Sequence, residues 1–318
     1  MRSVSELRLR VSAAGELTPT VRRFVLRDPA GSRLPAYEPG AHVVVSTPAG
    51  HRRAYSLVEP GGAQPREYVL CVRRDTDGRG GSVSMHDDVA VGTTLVVSAP
   101  ANRFPLAPSP RYLFIAGGIG ITPIRAMVRR LRAAGRAGVR LLYLTRSAAE
   151  TPFLEEFAGP EDTVHHSGGR GRLDLWPYLG VPDDDVRIYC CGPPALVRAV
   201  RTLTAHWRLS RIHLEEFAAG HRQLSSPFTA VWAPDGRRVG VPAHLSLLAA
   251  LRGEGVRVGS SCEAGVCGTC RVAVLDGEVE HADSVLTESE RVASMVACVS
   301  RARSTELVVG PYQDEELA

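Results

Sequence analysis

The first third of the chain alternates short apolar segments with polar turns. Six such segments lie between Glu6 and Pro105, namely ELRLRV, VRRFVL, AHVVVS, RRAYSLV, EYVLCV and TLVVSA. Short β-type segments at close spacing, separated by glycine and proline, are typical of antiparallel sheets that close on themselves. We therefore predict an antiparallel β-barrel over residues 1–107.

From Arg111 the pattern changes to apolar strands that alternate with helices. The strand YLFIAG leads into GGIGITP and a helix-period stretch over residues 124–132. The strands RLLYLT and VRIYCCG follow, and a second helix is expected around residues 195–203. Alternation of this kind predicts an α/β domain with a parallel sheet of the nucleotide-binding type, which we assign to residues 108–222.

Residues 223–318 predict a small α+β domain. The polar stretch AAGHRQLSS after Phe217 is the expected linker, and FTAVWAPDGRRVGVP predicts a hairpin that turns at Pro234, Asp235 and Gly236. A helix through HLSLLAALRG and the strands RVAVLDG and ELVVG complete the domain. The pattern thus predicts three domains in the order barrel, parallel sheet and α+β.

Composition is consistent with this organisation. A chain of 318 residues exceeds what one core usually organises, and 44% hydrophobic with 23% charged residues is ordinary for a globular protein. The N-terminus has no apolar signal segment, and no stretch approaches the ~18 apolar residues of a membrane helix. We therefore expect a cytoplasmic protein without membrane contact.

Charge is unevenly distributed along the chain. Residues 1–222 carry a net charge of about +9 and residues 223–318 about −5. An acidic module beside a basic remainder suits a redox partner that docks by complementary charge, or attraction between the domains. All 38 basic residues are arginines, scattered rather than packed in a run, which argues against nucleic-acid binding.

The cysteines carry the most specific signal. Three of them lie in SSCEAGVCGTC and a fourth follows after a spacer of 27 residues: Cys262, Cys267, Cys270 and Cys298. This is the spacing of a plant-type 2Fe-2S site, in which four thiolates bind two irons. The loop must bend sharply around the cluster, and Gly259, Gly265 and Gly268 can supply φ freedom and close approach.

Other roles for these cysteines fit the pattern less well. Structural zinc sites favour a short Cys/His pair at both ends of the spacer, whereas here the far end offers only Cys298. Buried free thiols are a further alternative. A disulfide framework is disfavoured because the remaining three cysteines, Cys71, Cys190 and Cys191, lie in apolar strand-like runs.

Two motifs in the barrel segment suit a phosphate group and a flat ring system with a polar edge. An arginine, an aromatic ring and a hydroxyl occur together on the strand HRRAYSLV, and two glycines precede two serines at an expected helix start in DGRGGSVSMHD. The residues concerned are Arg53, Ala54, Tyr55, Ser56, Gly80, Gly81, Ser82 and Ser84. Free amides at a helix start form an anion site, although an ordinary exposed strand and a turn between strands are the alternatives.

Two further motifs follow buried strands of the parallel sheet. GGIGITP opens a helix, so glycine can admit a pyrophosphate and Pro123 suits the first turn, but it lacks the full G-x-G-x-x-G pattern and a packing turn is the alternative. CCGPP ends another strand at the edge where such sheets bind ligands, and Cys191 there can also be a small buried residue. These residues are Gly117, Gly118, Ile119, Gly120, Thr122, Cys191, Gly192 and Pro193.

Together the motifs resemble the phthalate dioxygenase reductase family, including vanillate demethylase reductases, within the ferredoxin reductase superfamily. The resemblance spans nearly the whole chain and implies an FMN-binding barrel, an NAD-binding α/β domain and a C-terminal β-grasp ferredoxin domain. It implies that R-A-Y-S and G-R-G-G-S hold FMN, that GGIGITP and CGPP hold NADH, and that Phe217 stacks where the isoalloxazine and nicotinamide rings meet. The catalytic set expected from the resemblance is Phe217, Cys191 and Thr122.

The resemblance also implies a reaction sequence. C4 of NADH gives a hydride to N5 of FMN, and electrons then pass singly to the 2Fe-2S cluster and on to a terminal oxygenase, a Rieske-type hydroxylase or O-demethylase. A haem-thiolate monooxygenase is the alternative acceptor. A non-enzymatic flavin/iron–sulfur redox sensor is the competing class, but it needs an output module that the sequence lacks.

NADH is expected to be preferred over NADPH. The strand RLLYLT ends at Thr145 and Arg146 follows it, so one guanidinium is available near the expected adenosine ribose. The residues that follow supply no second cation for a 2′-phosphate, and Glu150 lies close by.

Overall fold

The structure is a computed structural model that describes residues 6–78, 80–217, 226–243, 245–260, 263, 265, 267–283 and 285–312. The chain divides into two compact units, Met1–Ala219 and Gly220–Ala318. Most of the predicted linker AAGHRQLSS lies outside the described residues. The two boundaries between the three domains taken from the sequence therefore stay predictions.

The N-terminal part of the first unit is the predicted antiparallel barrel. Its sheet has the order β4-β3-β6-β1-β2-β5, with β7 paired to β3. A hydrogen bond of 3.1 Å from the Val58 amide to the Val69 carbonyl joins the two ends of this order. Its elements are β1 (Glu6–Thr18), β2 (Val21–Arg27), β3 (Ala41–Ser46), β4 (Arg52–Ser56), β5 (Tyr68–Arg73), α1 (Gly81–Asp87), β6 (Thr94–Ser98) and β7 (Ala101–Asn102).

A parallel sheet with helices completes the first unit, as predicted. The strand order is β10-β9-β8-β11-β12, and every neighbouring pair is parallel. β8 and β11 are apolar along most of their length because both faces of the sheet are covered. The elements are β8 (Arg111–Gly117), α2 (Ile121–Ala133), β9 (Val139–Thr145), β10 (Asp162–His166), α3 (Trp176–Leu179), β11 (Val186–Gly192), α4 (Pro194–Leu203) and β12 (Ile212–Glu216).

A buried arginine joins the barrel to the parallel sheet within this unit. Arg125 on α2 is 7% exposed, and its guanidinium lies 2.9 Å from Glu59 and 2.8 Å from Glu156. It also donates to the Val58 carbonyl at 3.1 Å and lies over the Phe153 ring at 4.3 Å. Because its charge is matched by two carboxylates, it can be buried at this seam and fix the two parts together.

The second unit is an α+β domain around one core. Its sheet has the order β14-β13-β19-β15-β17, in which β13 and β19 are parallel, and β16 pairs with β18. Thr287 begins α6 with a capping box closed by Glu290. The elements are β13 (Phe228–Trp232), β14 (Arg237–Val241), α5 (Leu247–Gly253), β15 (Arg271–Asp276), β16 (Val279–Glu280), α6 (Glu288–Arg291), β17 (Ser294–Val296), β18 (Arg301–Ala302) and β19 (Glu306–Pro311).

Element bounds differ from the sequence expectation mainly at helix starts. α2 begins at Ile121, three residues earlier than predicted, which places Pro123 in its first turn. α5 begins at Leu247 because the Ser246 side chain accepts a hydrogen bond from the Ala249 amide and so caps the helix. None of the helices in the described parts of the chain is long and apolar enough to cross a membrane.

Candidate functional site

The two predicted flavin motifs meet on the barrel. A β-carbon on Gly81, the first residue of α1, would lie 2.6 Å from Cγ and Nε of Arg53 on β4. The bare backbone at Gly81 therefore lets the Arg53 side chain lie against the start of the helix. The first amides of a helix lack intrahelical partners, so a guanidinium and amide donors lie together, as a phosphate group requires. Arg79 of the G-R-G-G-S motif lies outside the described residues.

The two serines of this motif are already engaged within the protein. Ser84 Oγ accepts from the Ala49 amide at 3.1 Å and donates to Asp88 at 2.7 Å, and Ser84 is buried. Ser82 Oγ accepts from the Asp75 amide at 3.0 Å. The hydroxyls therefore hold the loop in place, and the Ser84 amide is engaged as well, since it donates to the Gly80 carbonyl at 2.9 Å.

Tyr55 carries an unsatisfied buried group. Its hydroxyl is buried and has no hydrogen-bond partner among the described residues, and burial raises its pKa well above the ordinary value. Leaving a buried hydroxyl unpaired costs about 1–3 kcal/mol, so such a group is expected to meet a ligand. Ala54 and the buried Ser56 lie beside it on β4. This strand therefore fits a flat ring system with a polar edge.

The GGIGITP and CCGPP motifs contact each other at the carboxyl edge of β8 and β11. A β-carbon on Gly120 would overlap the carbonyl oxygen of Cys191, and one on Gly117 would lie 2.7 Å from Pro193 Cδ. Gly192 packs on Gly117 in the same way. Gly118, Ile119 and Gly120 form a 3₁₀ turn that leads into α2. The structure thus brings together the two motifs from which a nucleotide site was predicted.

Cys191 has a partner that sequence reasoning missed. Its thiol donates to the carboxylate of Glu215 on β12 at 3.6 Å. Burial raises the pKa of Glu215 to about 7, and burial followed by the charge of Glu215 raises the pKa of Cys191 well above its ordinary value. Cys191 is therefore a neutral thiol. The only signal in the sequence was an acid two residues before Phe217, at the end of a strand.

The other two expected catalytic residues have defined environments. Thr122 is 2% exposed, and its hydroxyl donates to the Ile119 carbonyl at 3.0 Å, so it stabilises the turn before α2. Phe217 is half-buried and packs against the core cluster of the sheet that contains Cys191. Phe217 and Cys191 therefore lie at the same core cluster. The Thr122 hydroxyl, in contrast, is engaged in a hydrogen bond within the protein.

The expected adenosine edge is more basic than the sequence indicated. Thr145 Oγ1 lies 2.8 Å from Nδ1 of His166, and the Gly168 amide donates to the Arg146 carbonyl at 2.9 Å. The loop after β10, which carries Arg170 and Arg172, therefore lies beside Arg146. Like Arg146, both are exposed and form no ion pair among the described residues. Sequence reasoning missed them because it considered only the residues that follow β9.

Two of the predicted cluster ligands lie face to face in the second unit. Cys270 and Cys298 are 1% and 2% exposed, and a hydrogen bond from Cys298 is the main cause that lowers the pKa of the Cys270 thiol. Cys267 is half-buried, and Cys262 lies outside the described residues. Within the described part of the chain no three candidate ligands form a metal site, and no disulfide joins the six described cysteines. Buried, paired sulfur donors fit an iron–sulfur cluster.

The loop that carries these cysteines bends at left-handed residues. Gly265 and Gly268 have φ of 76° and 71°, as predicted, whereas Gly259 has no such φ and only ordinary contacts. Glu263 also has a positive φ, 48°, and its carboxylate lies 3.0 Å from Arg252. Three of the loop's residues therefore supply the bend, and one of them was not foreseen.

Comparison with known proteins agrees with this geometry. A family model described as a 2Fe-2S iron–sulfur cluster binding domain matches residues 231–303. Phthalate dioxygenase reductase of Burkholderia cepacia is 40% identical over 312 residues, which is 95% of this chain and 97% of that protein. A solved phthalate dioxygenase reductase, titled as a modular structure for electron transfer from pyridine nucleotides to [2Fe-2S], matches with a TM-score of 0.83 and 39% identity over 96% of this chain and 98% of that one.

In a second solved structure, the region similar to this chain is part of a longer chain. An intact type IV self-sufficient cytochrome P450 monooxygenase matches with a TM-score of 0.71 and 36% identity, covering 96% of this chain and 41% of that one. Phthalate dioxygenase reductase, by contrast, is matched over nearly its whole length in both sequence and structure. This chain therefore belongs to the phthalate dioxygenase reductase family.

Proposed function

We propose that this protein is an NADH-dependent reductase that supplies single electrons to a terminal oxygenase. When bound, FMN and a 2Fe-2S cluster supply the chemistry that converts a two-electron donor into a one-electron supply. The observation that carries the proposal is the contact of Gly120 with Cys191, which joins two distant motifs at one sheet edge next to Phe217. The chain's own residues bind and orient the redox groups.

The flavin is assigned to the barrel. Arg53 and the first amides of α1 bind the phosphate, and the Tyr55 hydroxyl donates to the polar edge of the ring. FMN is assigned rather than FAD because the G-R-G-G-S site suits a terminal phosphate and no segment was recognised for an adenosine half. Arg125 fixes the barrel to the nucleotide-binding part, which holds flavin and nicotinamide sites at a constant separation.

NADH is assigned to the edge formed by residues 117–120 and 191–193. The bare backbone at Gly117 and Gly120 admits the pyrophosphate, and Thr145 and Arg146 lie towards the adenosine ribose. Cys191, held neutral beside Glu215, lines the nicotinamide pocket without acting as a nucleophile. Phe217, which packs on the same core cluster as Cys191, would be the aromatic ring that stacks where the flavin and nicotinamide rings meet.

The cluster is assigned to residues 223–318, with Cys262, Cys267, Cys270 and Cys298 as its ligands. A Rieske-type oxygenase is the acceptor that the family resemblance implies, and a relative matched over nearly its full length is named as the reductase of a dioxygenase. A haem-thiolate monooxygenase is the second candidate, which the match to the self-sufficient cytochrome P450 favours. A cytoplasmic location fits the thiol state of the six described cysteines.

Anaerobic spectroscopy tests the proposal directly. Adding NADH to the purified protein should bleach the flavin and cluster absorbance together, and mass spectrometry of the released flavin should identify FMN. Inertness to both NADH and NADPH would contradict the reductase function. Recovery of FAD as the sole flavin would contradict the assignment of the phosphate site.

A further inference from the structure

The second unit contains a fully buried carboxylate for which the proposed ligand set gives no role. The side chain of Asp283 is 0% exposed. Four groups that carry N–H or O–H donors surround it: the Leu286 amide at 3.0 Å, the Ser300 hydroxyl at 3.2 Å, the His281 ring, whose Nδ1 lies 3.4 Å away, and the Arg291 guanidinium at 3.5 Å. A carboxylate is buried only where such donors compensate for its lost hydration, so this site is built to hold one.

Asp283 contacts the chain on both sides of the proposed cluster. On one side its carboxylate binds the hydroxyl of Ser300, which is fully buried and follows Cys298 by two residues. On the other side its Cα packs against the cysteine loop, where a β-carbon on Gly265 would lie 3.3 Å away. The same β-carbon would lie 2.6 Å from Val299 Cγ2. Asp283 thus contacts both the cysteine loop and the Cys298 segment, at the place where these two also touch each other directly.

A buried charge in this position acts on electron transfer. Reduction adds one negative charge to a cluster, so a carboxylate that water does not screen opposes it, and a nearby cation favours it. Arg291 is that cation: it bonds both the carboxylate of Asp283 and, at 2.8 Å, its carbonyl. Hydrogen bonds and charges that surround the ligands of a metal site are known to tune its reduction potential.

We propose that Asp283 is a positioning residue that sets the reduction potential of the 2Fe-2S cluster, with Arg291 as its opposing charge. The inference rests on the proposed cluster site. In Asp283→Asn, the cluster should become easier to reduce by roughly tenfold in equilibrium constant, which is about 59 mV for a one-electron couple. In Arg291→Met the shift should have the opposite sign.

The test is a potentiometric titration of the intact, cluster-containing protein, monitored by the electron paramagnetic resonance signal of the reduced cluster. Glu278→Gln is the matched control, because it removes a negative charge from an exposed position of the same unit without a described partner. In this control the equilibrium constant for cluster reduction should stay within threefold of the value for the parent protein. A purely structural role for Asp283 would not produce shifts of opposite sign in the two variants.

The outcomes are separable from those of the proposed function. Absence of a 2Fe-2S signal in the parent protein would refute the cluster site itself. A parent signal with an unchanged potential in Asp283→Asn, or equal shifts in Asp283→Asn and Glu278→Gln, would refute only this inference. If Asp283→Asn does not retain a cluster, the Arg291→Met potential decides: a lower value supports the inference and an unchanged value overturns it.

Discussion

Gly120 and Cys191 are 71 positions apart in the sequence, yet a β-carbon on Gly120 would overlap the Cys191 carbonyl oxygen. The contact occurs where β8 and β11 run side by side and end at the same edge of the sheet. Because backbone touches backbone, no rotamer change can relieve a larger residue at this position. The close approach of the two predicted nucleotide motifs therefore requires glycine, which has no side chain, at position 120.

Gly120→Ala should impair nucleotide binding while leaving the flavin in place. Overpacking costs about 1–3 kcal/mol, and about 1.4 kcal/mol corresponds to tenfold in affinity, so KM for NADH should rise by about tenfold or more. Steady-state kinetics together with flavin content measures this. Gly159→Ala is the control, since its β-carbon would meet only Asp162 at 3.7 Å. Loss of flavin, with KM unchanged in the remaining holoprotein, would contradict the assignment.

Arg53→Ala should weaken FMN binding by roughly 1.5–3 kcal/mol, the increment of a hydrogen bond to a charged group. No lysine exists in the chain to substitute for it. Fluorescence titration of apoprotein with FMN measures the change, and riboflavin supplies the comparison. Affinity for riboflavin should change little, because it lacks the phosphate; an equal loss for both ligands would show that Arg53 does not contact the phosphate.

Tyr55→Phe should affect the apoprotein and the holoprotein in opposite directions. Without flavin, removing an unpaired buried hydroxyl should stabilise the protein, or at least not destabilise it. With flavin, losing one hydrogen bond should weaken FMN binding by about 0.5–1.5 kcal/mol. Thermal unfolding of both forms tests this. Destabilisation of the apoprotein would mean that the hydroxyl already has a partner within the protein.

Glu215 should make the first unit less stable as pH rises. Burial raises the pKa of this carboxyl from 4.5 to about 7, so the folded state holds its proton more tightly than the unfolded state. The contribution of Glu215 to the free energy of unfolding is therefore greatest below pH 4.5. It falls by up to about 3 kcal/mol as the pH rises through 7. Urea-induced flavin release at pH 5 and 8 measures it, and Glu215→Gln should flatten the difference. Glu155→Gln, at an exposed position, should not.

Cys270→Ser should separate the two halves of the electron path. The cluster should be damaged or lost, because all four thiolates are needed, whereas the first unit has cores of its own and should fold normally. NADH-driven reduction of a small artificial acceptor should survive, and reduction of cytochrome c should collapse. Cys190→Ala, at a buried position in the first unit, should retain the iron. If both activities fall while FMN stays bound, the linear order of electron transfer is wrong.

NADH should have a higher kcat/KM than NADPH. Arg170 and Arg172 are exposed on the loop whose Gly168 amide meets Arg146, so they offer at most a weakly held, salt-sensitive contact for a 2′-phosphate. Arg170→Ala should therefore lower the residual rate with NADPH and leave the rate with NADH unchanged. Kinetics at two salt concentrations measures both. A higher kcat/KM for NADPH would contradict the preference.

The fold classes and the family could be predicted from local sequence, whereas the individual site residues stay predictions. Cys262, Cys267, Cys270 and Cys298 could be proposed as cluster ligands because three of them lie at fixed spacing in one short loop and the fourth follows after a spacer of 27 residues. The barrel and the parallel sheet were identifiable because burial on one face or on both faces leaves different periodicities. Helix starts were less accurate, as at Ile121, because capping and tertiary packing decide the first turn.

Contacts between distant segments were decided only by the tertiary structure. The partner of Cys191 is Glu215 because β11 and β12 are neighbours in the sheet, and their register places these two residues side by side. The Gly168 amide meets the Arg146 carbonyl for the same reason, through the pairing of β10 with β9. Asp283 has no motif at all. Its role depends on burial and on the four donors that surround it, and a sequence specifies these only through the fold that it forms.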